Sequence, residues 1–228
     1  MYIHFTRKIG GTKLHACRKG FLSFGEKIME QISFYTTAIS FGIVILCWFI
    51  FAGTFLLRKK PESSKDAKHA PKSFIGIALQ GVSFGLVWAS RRTPFLSPFV
   101  DDQFILNIIF QIVAILLAVG SGWMANSAIK ELGKQWSLQA RLIEDHKLIT
   151  SGVYKIVRHP IYAAMLGMLV ATAFVVSHWL AAIIAVPIFL IGTKIRTVAE
   201  EKLLREVFPD EYKAYAEKVS AFVPFVKF

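Results

Sequence analysis

Apolar residues fall along this chain in long blocks, and the blocks predict helices. The first, FYTTAISFGIVILCWFIFAGTFLL at 34–57, has the length a helix needs to cross a bilayer core of about 30 Å. It stops at Arg58-Lys59-Lys60. It is too long for a signal-peptide core and no small-x-small cleavage site follows, so it predicts an anchor. The next stretch, RKKPESSKDAKHAPK, is rich in Pro, Ser and Lys and reads as a solvated loop. A second block at 74–90 carries Gly81 and Gly85 in a G-x-x-x-G spacing, which predicts close packing of that helix on a neighbour. The loop holding Arg91, Arg92 and TPFLSPFVDD precedes a third block at 104–125. A long connection, 126–160, then bears Lys130, Lys134, Arg141, Lys147, Lys155 and Arg158.

Two shorter blocks follow, IYAAMLGMLVATAFVV and WLAAIIAVPIFLIGT, with only Ser177 and His178 between them. So short a break predicts a helical hairpin, either two thin spans or one that dips partway into the bilayer; both return the chain to the side it left, and Pro187 kinks the second arm. From Lys194 the pattern turns amphipathic. Leu203, Leu204, Val207 and Phe208 recur at helical spacing, Pro209 breaks that helix, and Tyr212, Tyr215 and Val219 mark a second short one.

The expected fold is therefore all-α: a polytopic membrane protein of about five transmembrane helices, with a C-terminal hairpin and amphipathic cytoplasmic helices after it. Three regions are expected: a basic N-terminal segment at 1–33, three transmembrane helices within 34–125, and a catalytic region at 126–228. Basic residues crowd the 58–73 loop, the 126–160 connection and the C-terminal tail, whereas the 91–103 loop offsets Arg91 and Arg92 with Asp101 and Asp102. The positive-inside bias then puts the first three on the cytoplasmic face and the N-terminus outside. Residues 1–33 run against that rule, since they hold six Lys and Arg. Met29 stands just before the first span, and a start there would remove the conflict.

Composition sharpens the picture. A chain of 228 residues that is 54% hydrophobic yet carries a formal charge of +12 has its cations in the loops. No basic helix interleaved with aromatics and no zinc spacing occurs, so nucleic acid is not expected as a partner. Cys17 and Cys47 form no CxxC pair, and neither a disulfide framework nor a metal site is expected.

Candidate chemistry gathers where polar segments meet the hairpin. In EDHKLITSGVYKIVRHPIY, Gly152 permits a turn, Pro160 suits the first turn of a helix, and Tyr154 and Tyr162 suit the headgroup level. Singly, these residues need be no more than a membrane boundary. Glu200-Glu201, just beyond the hairpin, also has two readings. Each can pair along the helix face, with Arg196 four residues before Glu200 and Arg205 four after Glu201; alternatively, two adjacent carboxylates could hold a cationic ligand.

The order of these pieces is more specific than any one. H-x-L, G-x-Y, R-H-P-x-Y, a short hairpin, E-E-x-x-L, F-x-x-E-Y-x-x-Y and a late V-P together resemble the membrane methyltransferase superfamily. That superfamily includes isoprenylcysteine carboxyl methyltransferases and phospholipid N-methyltransferases. The resemblance runs from about His146 to Pro224; the first spans carry no such signature. It implies S-adenosylmethionine as cofactor, held by His146, Leu148, Gly152, Tyr154, His159, Pro160, Tyr162, Glu200 and Glu201. Arg158, His159 and Glu201 are the expected catalytic residues. Valine at 153 stands where the family often has proline. The implied partners are membrane lipids and a lipophilic methyl acceptor: an isoprenylcysteine-like carboxylate, a phospholipid amine or a small thiol. Two other readings compete, a reductase of the sterol 5α-reductase type and a non-enzymatic membrane scaffold. The reductases share the P-F ending but favour an asparagine-rich segment where this chain has Arg158-His159-Pro160.

Overall fold

Among the described residues, six helices account for most of the backbone. The structure, a computed structural model, describes residues 9–57, 68–69, 73–93, 97–100, 103–135, 141–142 and 147–222. The helices are α1 (Ile9–Leu56), α2 (Ser73–Ala89), α3 (Phe104–Leu132), α4 (Pro160–Val176), α5 (Trp179–Val207) and α6 (Pro209–Lys218). Among the described residues the only strands are β1 (Lys68–His69) and β2 (Arg141–Leu142), an antiparallel pair of two residues each.

Among the described residues, three helices are long and apolar enough to cross a membrane: Lys27–Leu56 within α1, α3 and α5. The shorter apolar helices α2 and α4 lie beside them. Several boundaries differ from those the pattern predicts. α1 is continuous over 48 residues and so runs upstream of the expected span. α3 continues through Leu132, into the stretch expected to be a connection. The amphipathic segment after Lys194 is not a separate helix, because α5 carries the second hairpin arm unbroken to Val207 with Pro187 inside it. Backbone hydrogen bonding propagates across the change from apolar to mixed sequence; it stops at Phe208 because Pro209 cannot extend the ladder.

Packing follows a membrane logic, with small and polar residues facing inward and large apolar ones outward. On α3, Asn107, Gln111, Ala114, Ala118, Ser121, Gly122 and Ala125 are buried, while Ile105, Ile109, Ile112, Leu116, Val119 and Trp123 are exposed. A continuous exposed stripe of that kind is suited to lipid rather than water. Buried Val44, Cys47 and Phe51 of α1 meet the α3 alanines and Ala164, Met168 and Ala171 of α4 in one cluster. Val87, Leu169, Ala173, Ala185 and Phe189 form a second between α2, α4 and α5.

The expected G-x-x-x-G contact is in the wrong place. A Cβ on Gly81 or Gly85 would meet nothing within 4 Å. The close approach is instead between Gly76 of α2 and Gly192 of α5, where a Cβ on Gly76 would lie 2.5 Å from the Gly192 carbonyl oxygen.

Loops pair at both ends of the bundle. β1 and β2 join the α1–α2 loop to the α3–α4 connection, with Lys68 opposite Leu142. At the other end the α2–α3 loop is tied to the hairpin turn: Arg92 N–H donates to Val176 O at 3.1 Å and His178 N–H to Ser90 O at 2.9 Å. The buried Arg92 guanidinium donates to Val175 O and Ser177 O, each at 2.5 Å, and so satisfies carbonyls that the end of α4 leaves open.

Candidate active site

The site forms at the β1–β2 end of the bundle, where α4 begins and α5 passes beyond its apolar stretch, which ends at Thr193. Gly152 opens a 3-10 turn, Gly152–Lys155, with a φ of 56°. The backbone conformation calls for glycine, and the Glu131 carboxyl fills the space beside it. That φ disfavours any L side chain, and a Cβ there would sit 2.8 Å from Glu131 Cδ. Ser151 Oγ donates to Glu131 Oε2 at 2.8 Å, so the turn is docked on the end of α3. Val153 and Tyr154 are buried against Ala128, which anchors the G-x-Y segment.

The chain then runs beside the tail. Val157 bridges to Ser220, and Arg158 N–H and His159 N–H donate to Ser220 O and Ala221 O at 2.8 Å each. Pro160 starts α4 at a position where its missing N–H costs nothing.

Across the hairpin, two glutamates of α5 meet these residues. Glu201 Oε1 accepts from Arg158 Nη2 at 3.0 Å and Nε at 3.3 Å, and lies 3.1 Å from His159 Nε2. Its other oxygen accepts from Arg205 at 3.2 Å. Glu200 Oε2 is 3.5 Å from His159 Nδ1, and Glu200 Oε1 accepts from the Tyr162 hydroxyl. Arg158 Nη1 donates to Ala216 O at 3.0 Å and to Val219 O. The guanidinium fork therefore joins the segment leading into α4 to α5 and the tail. Tyr215 Oη donates to Tyr154 O at 2.6 Å and closes α6 over the turn.

Electrostatics follow from this enclosure. Burial pushes the Glu201 carboxyl up, but the hydrogen bonds and charges of His159 and Arg158 outweigh it and hold the group at about 2. Burial pushes His159 down, yet Glu200 and Glu201 prevail and raise it. The Tyr154 hydroxyl is raised by burial, then by the charge of Glu200, and the hydroxyls of Tyr212 and Tyr215 are raised chiefly by burial. These phenols stay protonated.

Of the residues singled out in the sequence, Arg158, His159, Tyr162, Glu200 and Glu201 share one enclosed polar knot. Gly152 and Tyr154 form the adjoining turn, Pro160 the helix start, and Leu148 is half-buried before the turn. His146 and the late V-P, Val223-Pro224, lie outside the described residues. The helix-face pair Glu201–Arg205 is present, and Glu201 carries it together with the contacts across the hairpin. The motifs gave no sign of Glu131, or of Gln80, which bonds both Thr193 and Arg196 in the interior. A lone glutamine within an apolar block was the available signal.

Comparison with known proteins agrees with this region. Residues 109–211 match the profile of the phospholipid methyltransferase family. The chain is 35% identical over 106 residues to protein-S-isoprenylcysteine O-methyltransferase B of Arabidopsis thaliana, covering 45% of this chain and 53% of that protein. It is 26% identical over 152 residues to the protein-S-isoprenylcysteine O-methyltransferase of Schizosaccharomyces pombe, covering 64% of this chain and 61% of the relative. The chain thus spans about half the length of the first of these relatives and somewhat more of the second.

Proposed function

We propose that this protein, whose residues 109–211 match the phospholipid methyltransferase family, transfers a methyl group from S-adenosylmethionine to a lipophilic acceptor in the membrane. The reaction is assigned to the cytoplasmic boundary of the bilayer. The observation that carries the reading is the meeting of Glu200 and Glu201 with Arg158, His159 and Tyr162 across the hairpin.

The donor set suits the cofactor. Glu200 and Glu201 offer carboxylates for an ammonium, Arg158 and His159 offer cationic donors for a carboxylate, and Tyr154 and Tyr162 offer aromatic faces for a sulfonium. When bound, S-adenosylmethionine supplies an electrophilic methyl group. The protein's own contribution is then alignment and exclusion of water. Arg158 fixes Glu201 and the tail, Tyr162 orients Glu200, and α6 covers the turn. A carboxylate acceptor needs no base; for an amine acceptor a glutamate would take the proton, because both His159 ring nitrogens face the carboxylates as donors. The names of the relatives favour an isoprenylcysteine carboxylate, reaching the site from the lipid side.

Calorimetry in detergent tests the cofactor. Wild-type protein should bind S-adenosylhomocysteine, and Glu200→Gln should bind it at least about tenfold more weakly, the worth of one hydrogen bond to a charged group at about 1.5–3 kcal/mol. Glu201→Ala should abolish the heat. No heat from the wild type would refute the reading. Membranes incubated with labelled methyl donor then identify the acceptor: base-labile label on prenylated peptide supports the carboxylate, and label in phospholipid headgroups supports the amine.

A further inference from the structure

We propose that α2, which lies outside the matched region, is a cradle that positions the active site through Arg196. This deepens the methyltransferase reading and rests on it. The cradle is made by two residues one helical turn apart. Gly76 lets α2 and α5 touch backbone to backbone, because a Cβ there would collide with the Gly192 carbonyl and with the Arg196 stem. That stem crosses the helix where a side chain would otherwise stand. One turn further along, Gln80 Oε1 accepts from Arg196 Nη1 at 3.0 Å. The amide is held the right way round because its Nε2 donates to Thr193 Oγ1 at 2.9 Å. Gln80, Thr193 and Arg196 are 2%, 0% and 5% exposed, so water does not compete for these bonds.

The held guanidinium lies over the Tyr162 ring, 4.8 Å from its centroid. The Tyr162 hydroxyl in turn donates to Glu200. Gln80 therefore reaches the carboxylate pair through Arg196 and Tyr162 while touching neither glutamate. It is a positioning residue, and its effect should appear as lost alignment rather than lost folding.

Gln80→Leu removes both bonds at similar volume, whereas Gln80→Glu keeps an acceptor for Arg196 and lets the Thr193 hydroxyl donate. Two readouts apply in detergent: kcat at saturating donor and acceptor, and the side-chain signal of 15N-labelled Arg196. Gln80→Leu should lower kcat at least about tenfold, as expected for one lost bond to a charged group, and lose the slowly exchanging guanidinium signal. Gln80→Glu should recover most of both. Wild-type turnover in Gln80→Leu, or equal losses in Gln80→Leu and Gln80→Glu that follow a lowered melting temperature, would overturn the proposal. If the wild type itself transfers no methyl group, the methyltransferase reading fails separately. An Arg196 signal unchanged by Gln80→Leu would then overturn the cradle on its own.

Discussion

His159 sits with one ring nitrogen 3.1 Å from Glu201 and the other 3.5 Å from Glu200, and both must carry protons to serve both carboxylates. The raised histidine and the carboxyl held at about 2 are one interaction viewed from its two ends. From the Glu201 end, the stabilisation is present above the unfolded carboxyl value of about 4.3; it is lost as pH falls through about 2. From the His159 end, it is complete below the unfolded imidazole value of about 6.5 and is lost as pH rises through the raised folded value. The gap in thermal midpoint between wild type and His159→Gln should thus be widest between about pH 4.5 and 6.5 and narrow above it. A 13C-labelled His159 titrating below about 6.5 would contradict this arrangement.

At the scale of elements, Arg158 ties the entry to α4 to both α5 and α6. Its planar fork spans Glu201 of α5 and the Ala216 and Val219 carbonyls at the end of α6. Lysine keeps the charge but cannot present that geometry. In Arg158→Lys, amide exchange in α6 should quicken at least about tenfold, since each lost hydrogen bond to a charged group is worth about 1.5–3 kcal/mol. Unchanged protection would mean that buried Tyr212 and the Tyr215–Tyr154 bond hold α6 unaided.

For the whole molecule, loop pairing constrains the topology. The β1–β2 pair joins two loops at one end, and the Arg91–Ser177 bridge joins two at the other. Five crossings with the site on the cytoplasmic face would satisfy both. In a background lacking Cys17 and Cys47, Lys147→Cys and His178→Cys should then react with an impermeant maleimide from opposite sides of the membrane, the former from the cytosol. Labelling of both from one side would exclude an odd number of crossings between them.

The apolar blocks by themselves determined an all-helical chain with helices long and apolar enough to cross a membrane, because burying backbone polar groups in lipid leaves helices few alternatives. The joint order of the motifs, through the family resemblance it carries, singled out Arg158, His159, Tyr162, Glu200 and Glu201; spacing alone left them ambiguous. Element ends were less legible, as α3 and α5 show, since hydrogen bonds carry a helix past the point where its sequence stops being apolar. Helix contacts were not legible at all. Gly81-x-x-x-Gly85 had the packing spacing, yet Gly76 and Gly192 make the contact, because which face of α2 meets α5 depends on rotation about the helix axis. Tertiary structure alone decided that Glu201 bonds across the hairpin as well as along its own helix, and that a glutamine in an unremarked span holds Arg196. Those pairings depend on where two helices cross, and no spacing within either one encodes it.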